Sequence, residues 1–376
     1  ECARHCVTMR SVAVVGALIA TIVGWGAPLW GDVGWPFVAS PPPLVVAAVS
    51  SCTGRQGAAF LNALLASRGL GNAAPLRLRC MSRAPASGAT RRLAAAGVTV
   101  VPATAGSDPT DAEMDALLRG TTALFLVTFS QFGSAGAEVA LAGRWAVAAR
   151  RHRLQQLILS GGARTGIPEL DAKSEAEARL RRLDAPFNTL FLHSSFFYEN
   201  LISKGGEPRL GACQLQVGGG SGVRSQTAVA SVTFTNPLPP DKPIVMHAAA
   251  DLGRAAAAAV LDPARFKPGE AVRVVGARCT PAQFAAAYGN VSGVTSRYVQ
   301  MDVGKLQREV FANDPATGAA VAKMYQAYLA SSLLKSDATM NVDAVRARFS
   351  EAAGLHKWMV GEGTSLVAAT CTKMHV

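Results

Sequence analysis

The stretch Val45–Leu65, VVAAVSSCTGRQGAAFLNALL, passes from β-branched strand residues through a short polar turn into a run whose apolar residues recur at helical spacing. The same alternation then repeats along the chain. Strands are expected at Leu76–Arg83, Val98–Ala103, Ala123–Phe129, Gln155–Gly162 and Asn188–Ser194, with helices at Ala58–Arg68, Ala89–Ala96, Asp111–Leu118, Ala137–His152 and Lys173–Leu183. Strands that alternate with helices have few ways to bury both kinds of apolar face. The common solution is an α/β fold, a doubly wound parallel sheet with helices on both sides. In such a sheet the ligand crevice lies at the carboxyl ends of the strands, which is where the opening turn falls.

That turn has the ingredients of a phosphate cradle. Glycines let the backbone pass close to a pyrophosphate, and the free amides of the following helix face the anion. Gly54 and Gly57 stand where two such glycines are needed, and Ser51 stands where the first would be. Taken alone this motif is weak.

Composition supports a folded chain rather than a disordered one, since 49% of its 376 residues are apolar and only 16% are charged. The net charge of +12 is carried mostly by arginine, including Arg77, Arg79, Arg83, Arg91, Arg92, Arg150, Arg151 and Arg153. Two readings stay open: attraction to anionic cofactors, acidic lipids or an acidic partner, or an arginine-heavy composition without electrostatic purpose. Neither a recognition module nor aromatic–basic interleaving points to nucleic acid. The seven cysteines show no CxxC spacing and read as free thiols in a reducing compartment. Cys2, His5 and Cys6 lack a fourth metal ligand nearby.

Ahead of the repeating pattern, Ser11–Gly31 is uncharged and nearly long enough to cross a hydrocarbon core, with Trp25, Trp30 and Trp35 at its far end. A membrane helix is expected there. A signal or transit segment and a helix buried in a partner are the competing readings. The triplet Pro41–Pro43 then serves as a stiff spacer.

TGRQG before a helix, LRCMSRAP, GVTVVPA, LLRGTTALFLVT and LDAKSEAEARLRRLDAPFNTLFLHSSFFYENL occur in order over Leu44–Lys204. Together they resemble the NmrA-like family of atypical short-chain dehydrogenase/reductases. DLGRAAAAAVLDP, CTPAQFAAAYGNVSGVTSRYVQM and MYQAYLASSLL resemble more weakly that family's smaller C-terminal substrate region. The resemblance implies a Rossmann domain that prefers NADP(H). Ser51, Thr53, Gly54, Arg55, Gln56 and Gly57 would form the pyrophosphate turn, Arg83 would pair with the 2′-phosphate, and Thr128 would border the nicotinamide side. It also divides the chain into an anchor and linker (1–40), a nucleotide-binding domain (41–205) and a smaller α+β substrate-type region (206–376), of which 246–262 packs back on the Rossmann domain.

The chain departs from the family where chemistry is done. Ser51 crowds or shifts the pyrophosphate path. Lys173 matches the family's lysine, but Glu169 stands four residues earlier, where a reductase carries the tyrosine that passes a proton. Ser160 could mimic the usual serine, and Tyr198, beyond the last of these strands, is the nearest phenol. His193-Ser194 replaces the family's Arg-Pro; His193 reads as a packed, hydrogen-bonded residue, and Phe196, Phe197 and Tyr198 as the floor of the cleft. Lys173 and Ser160 are the catalytic candidates if turnover survives. NADP(H), retained or lost, is the implied cofactor.

Three functions follow as expectations. A membrane-anchored accessory subunit of an organellar membrane complex, with an eroded NADP(H) site and no turnover, accounts for both the apolar segment and the altered site. The alternatives are an NADPH-dependent reductase and an NADP(H) redox sensor. Lipid bilayer and the subunits of the complex are the expected partners. The start at Glu1 suggests a trimmed, imported product, and the thiols suggest a stromal or matrix side, with the chloroplast thylakoid favoured over the mitochondrial inner membrane.

Overall fold

Strand β1 (Val45–Val49) lies inside a sheet with Ala47, Ala48 and Val49 fully buried, as a strand covered on both faces should be. The computed structural model describes residues 44–376 apart from 69–74, 107, 129–134, 184–186, 203–211, 218–228, 349–351, 371 and 376. After β1 come α1 (Arg55–Ser67), β2 (Leu76–Ser82), α2 (Gly88–Ala95), β3 (Val98–Pro102), α3 (Asp111–Leu118), β4 (Ala123–Val127), α4 (Ala135–Arg151), β5 (Gln156–Gly161), α5 (Pro168–Arg182) and β6 (Asn188–His193). Every expected strand and helix of this half is present. Boundaries moved where local chemistry extends a helix: α5 starts at Pro168, whose missing N–H costs nothing in the first turn. The ends of α2 and α3 are set by Ser87, which accepts from the Thr90 N–H, and by the Thr110–Glu113 capping box.

The chain continues through β7 (Phe196–Phe197), β8 (Ala212–Val217), β9 (Val229–Asn236), β10 (Ile244–His247), α6 (Ala249–Leu261), β11 (Glu270–Arg273), β12 (Ala277–Cys279), α7 (Pro281–Ser292), β13 (Thr295–Gln300), α8 (Val303–Lys305), α9 (Pro315–Ala330), α10 (Leu333–Thr339), α11 (Val342–Arg346), α12 (Leu355–Trp358), α13 (Thr364–Thr370) and β14 (Thr372–His375). The main sheet has the order β3-β2-β1-β4-β5-β6-β11, and all its pairings are parallel. The order reverses between β1 and β4, which opens a crevice at their carboxyl ends. One face is covered by α1 and α6, the other by α3, α4 and α5.

α6 lies so close to α1 that a Cβ on Gly253 would fall 2.1 Å from the Gln56 carbonyl oxygen. The remaining strands form a three-stranded sheet, β12-β10-β7, and a four-stranded sheet, β13-β9-β8-β14. They share a core built on Tyr198, Phe234, Phe284, Tyr325 and Trp358.

The cysteine expectation is corrected here. Cys52 and Cys80 are joined in a disulfide, their Cα atoms 5.1 Å apart, because the parallel pairing of β1 with β2 brings the turn after β1 alongside the end of β2. Spacing along the chain could not show this, since the pair is brought together by the sheet. Ser11–Gly31 lies outside the described residues, and among those described no helix is long and apolar enough to cross a membrane.

Candidate nucleotide-binding cleft

The crevice at the carboxyl ends of β1, β2, β3 and β4 holds a cavity of about 340 Å³. The turn contributes Ser50, Ser51, Cys52 and Thr53, the end of β2 contributes Met81, Ser82, Arg83 and Ala84, and β3 and its loop contribute Ala103, Asp108 and Pro109. Val127 and Thr128 close it at β4, and Leu141 and Trp145 of α4 form an apolar wall.

The turn is fixed by contacts that leave little freedom. A Cβ at Gly57 would lie 1.7 Å from the Ser51 carbonyl oxygen, so only glycine fits. Gly54 caps α1 without a side-chain hydrogen bond, and the first turn carries no acidic residue. The helix start therefore presents free amides and the positive end of its dipole to the cleft rim. A Cβ at Gly54 would come 3.1 Å from Ser51 Oγ, so the Ser51 hydroxyl leans over the cradle and narrows it. Ser50 stitches the turn to β4: its hydroxyl donates to the Val127 carbonyl and accepts from the Val127 N–H, both at 2.9 Å.

The expected residues divide into three groups. Ser51, Thr53, Arg83 and Thr128 meet in the cavity wall. Gly54 and Arg55 are exposed at the helix start, whereas Gly57 is buried beneath it and Gln56 turns a buried amide oxygen away from any partner among the described residues. Ser160 is 1% exposed within β5, opposite Val127 in the strand register, and does not line the cavity. Arg83 is exposed and has no hydrogen-bond or ion-pair partner among the described residues. Its guanidinium is available to an incoming phosphate. Arg79, by contrast, is spent on the fold, donating to the Ala116 and Arg119 carbonyls at the end of α3.

The family model for NmrA-like proteins matches residues 45–347. The chain belongs to the NmrA-like family. Its fold is similar to that of NmrA, a negative transcriptional regulator, in complex with NADP, at 18% identity over 88% of this chain and 98% of that one with a TM-score of 0.61. It is also similar to the Citrobacter sp. triphenylmethane reductase complexed with NADP(H), at 14% identity, 84% and 98% coverage and a TM-score of 0.60. A third likeness is to the Escherichia coli NADPH-dependent quinone oxidoreductase complexed with NADPH, at 18% identity, 84% and 98% coverage and a TM-score of 0.57. At these identities the likenesses show the fold alone, a Rossmann-type parallel α/β sheet. A search of curated proteins returns no match.

In this NmrA-like chain the side of the cleft next to Thr128 is built around an acid that the sequence did not single out. Glu138, in the first turn of α4 and 2% exposed, lies 2.6 Å from Lys173 Nζ and accepts from Thr128 Oγ1 at 2.5 Å. Lys173 also donates to the Thr128 carbonyl at 3.2 Å. Lys173 thus lies beside Thr128, with its charge answered by a buried carboxylate. His193 is hydrogen-bonded as expected, its Nε2 2.6 Å from Glu177 Oε2. Burial works against the Glu177 carboxylate, but bonds from His193 and Arg181 outweigh it and hold its pKa below the usual carboxylate range.

The aromatic cluster does not floor the cleft. Tyr198 is fully buried in the C-terminal core, 4.8 Å from the Trp358 ring, and Phe197 packs edge-on against His247. The reason is topological: β7 pairs with β10, which draws these rings toward the three-stranded sheet. Burial pushes all five tyrosine phenols of the chain above their ordinary value. Tyr198 donates to the Ala353 carbonyl, Tyr298 to those of Asn236 and Leu238, and Tyr325 accepts from Asn236. Ser50, Asp108, Glu138 and Trp145 were missed in the sequence because nothing local distinguishes a cleft-lining residue from any other at a strand or helix end.

Proposed function

We propose that this chain binds NADP(H) in the β1–β4 cleft and serves as a docking subunit of a membrane protein complex rather than as a carbonyl reductase. The observation that carries the reading is the contrast within the site. The phosphate side is kept, with Gly57 sterically required, an uncapped helix start and an unpartnered Arg83 at the rim. The proton-donating side is not, since Lys173 is committed to Glu138 and burial pushes every phenol away from acidity.

The residues present fit the dinucleotide. The amides of the α1 N-terminus and the Thr53–Gly57 turn would hold the pyrophosphate, Arg83 the 2′-phosphate, and the Leu141–Trp145 wall an apolar ring face. A bound nicotinamide supplies hydride chemistry. A carbonyl acceptor also needs a proton at its oxygen, and proton transfer of that kind contributes roughly 10²- to 10⁴-fold. Lys173 can hold a hydroxyl in place but is not free to acidify a phenol.

Anchoring rests on the Ser11–Gly31 pattern, and the placement at an organellar membrane, thylakoid before mitochondrial, belongs to the same proposal. With Cys52 and Cys80 bonded, thiol reduction no longer argues for a stromal or matrix side. Titration of the full chain with NADPH and with NADH tests the nucleotide half, and tighter binding of NADPH is expected. No saturable binding of either would remove it. For the anchor, the full chain should stay with membranes through carbonate extraction while a variant lacking residues 1–40 is released. Release of both would remove the anchor.

A further inference from the structure

The disulfide lies beside the candidate nucleotide cleft. Cys52 stands between Ser51 and Thr53 in the phosphate turn and lines the cavity, whereas Cys80 lies inside β2, three residues before Arg83. The bond therefore couples the segment that would hold the pyrophosphate to the strand that delivers the arginine for the 2′-phosphate. The sheet does not need it. β1 and β2 already pair along Val45–Val49, and the Cys52 N–H donates to the Met81 carbonyl at 2.8 Å. A covalent link is spent where the main chain is already tied, and its added effect falls on the turn beyond the strand.

We propose that Cys52–Cys80 is a thiol-redox modification site that sets the affinity of the cleft for a 2′-phosphorylated dinucleotide. This rests on the nucleotide reading above. In the oxidised chain the turn and the Arg83 loop are held at one spacing, so less ordering is needed when the ligand binds. A dithiol reductant opens the bond. One of its thiolates attacks a cystine sulfur to give a mixed disulfide, and its second thiol displaces the protein thiol. The cystine takes up two electrons and two protons and becomes Cys52–SH and Cys80–SH, while the dithiol is oxidised to its own disulfide.

Cys52 and Cys80 are 1% and 0% exposed, and of the two only Cys52 lines the cavity, so the proposal takes the cleft as the approach to the sulfurs. A bound dinucleotide covers that approach. Nucleotide then slows attack on the bond; separately, a bond that raises the affinity for nucleotide is itself made harder to reduce, by the same factor, when nucleotide is bound. The bond sits where breaking it alters the candidate binding site.

The test is an NADPH titration of the full chain before and after treatment with a small dithiol, followed by reoxidation. Reduction should raise Kd about 3- to 10-fold, expose two additional thiols and be reversed by reoxidation. NADPH should slow thiol release. Cys80→Ala, which lies outside the cavity wall, should bind like the reduced chain and no longer respond to dithiol. Equal Kd in both redox states of the wild type, which needs no variant to fold, would overturn the switch and leave the nucleotide reading standing. Absence of NADPH binding in either state would overturn both.

Discussion

At the scale of single residues, the chain's many arginines separate by what they touch. Arg79 ties off the end of α3, Arg144 and Arg151 pair with Asp111 and Asp115, and Arg83 is left facing the cleft. Composition alone could not make that division, because it depends on which helix end each strand meets. Arg83→Ala should therefore weaken NADPH about tenfold, or about 1.4 kcal/mol, and leave NADH nearly unchanged, with the loss shrinking as salt is raised. Equal losses for the two nucleotides would place the 2′-phosphate elsewhere. His247 makes a different residue-scale prediction. It is fully buried in β10, its Nε2 has no partner among the described residues, and burial pushes its pKa from 6.5 down to about 4. The unfolded chain then binds a proton below about pH 6.5 that the folded chain refuses until about pH 4. Stability is retained above that window and lost as pH falls through it, by about 3 kcal/mol at most from this group. Burial shifts Glu199 and Asp251 upward, so they act in the opposite sense, losing stability as pH rises above their ordinary values. Comparing urea unfolding of wild type with His247→Gln at pH 7 and pH 4.5 isolates the histidine. The variant should lose less on acidification, and identical losses would contradict the assignment.

The elements of the nucleotide-binding half were legible in the sequence because each strand is a short β-branched run closed by turn residues, and each helix repeats its apolar positions. The turn between β1 and α1 was legible because its small polar residues and glycines punctuate the step from strand to helix, and at Gly57 the fold leaves no room for a Cβ. Three features were not. The Cys52–Cys80 bond, the Glu138–Lys173 pair and the diversion of Phe196–Tyr198 toward β10 each join segments far apart along the chain, and sheet order decides them. α6 packs closely on α1. Its Gly253 Cβ would meet the Gln56 carbonyl at 2.1 Å, the Phe60 nitrogen at 2.7 Å and the Ala59 Cβ at 2.9 Å, of which two are main-chain atoms that cannot swing aside. Gly253→Ala should cost about 1 to 3 kcal/mol by overpacking and, by pushing on the first turn of α1, should weaken NADPH as well. Gly136→Ala, in α4 where a Cβ would meet nothing, serves as the control for a helical glycine without the clash. An affinity unchanged in Gly253→Ala would show that the helix start is insulated from α6.

For the whole molecule, the sheet order, the switch point and the family match support the proposal of an NADP(H) cleft. The chemistry next to it has been turned inward, into a lysine–carboxylate pair and phenols bonded within the C-terminal core. Such a chain would hold its nucleotide without consuming it. The most direct measurement is to saturate the purified full chain with NADPH and follow the nicotinamide absorbance while aldehyde, ketone and quinone acceptors are supplied in excess. The account predicts that NADPH binds and that its absorbance decays no faster than in the protein-free mixture. Sustained acceptor-dependent oxidation by the bound protein would contradict it and make the chain a reductase.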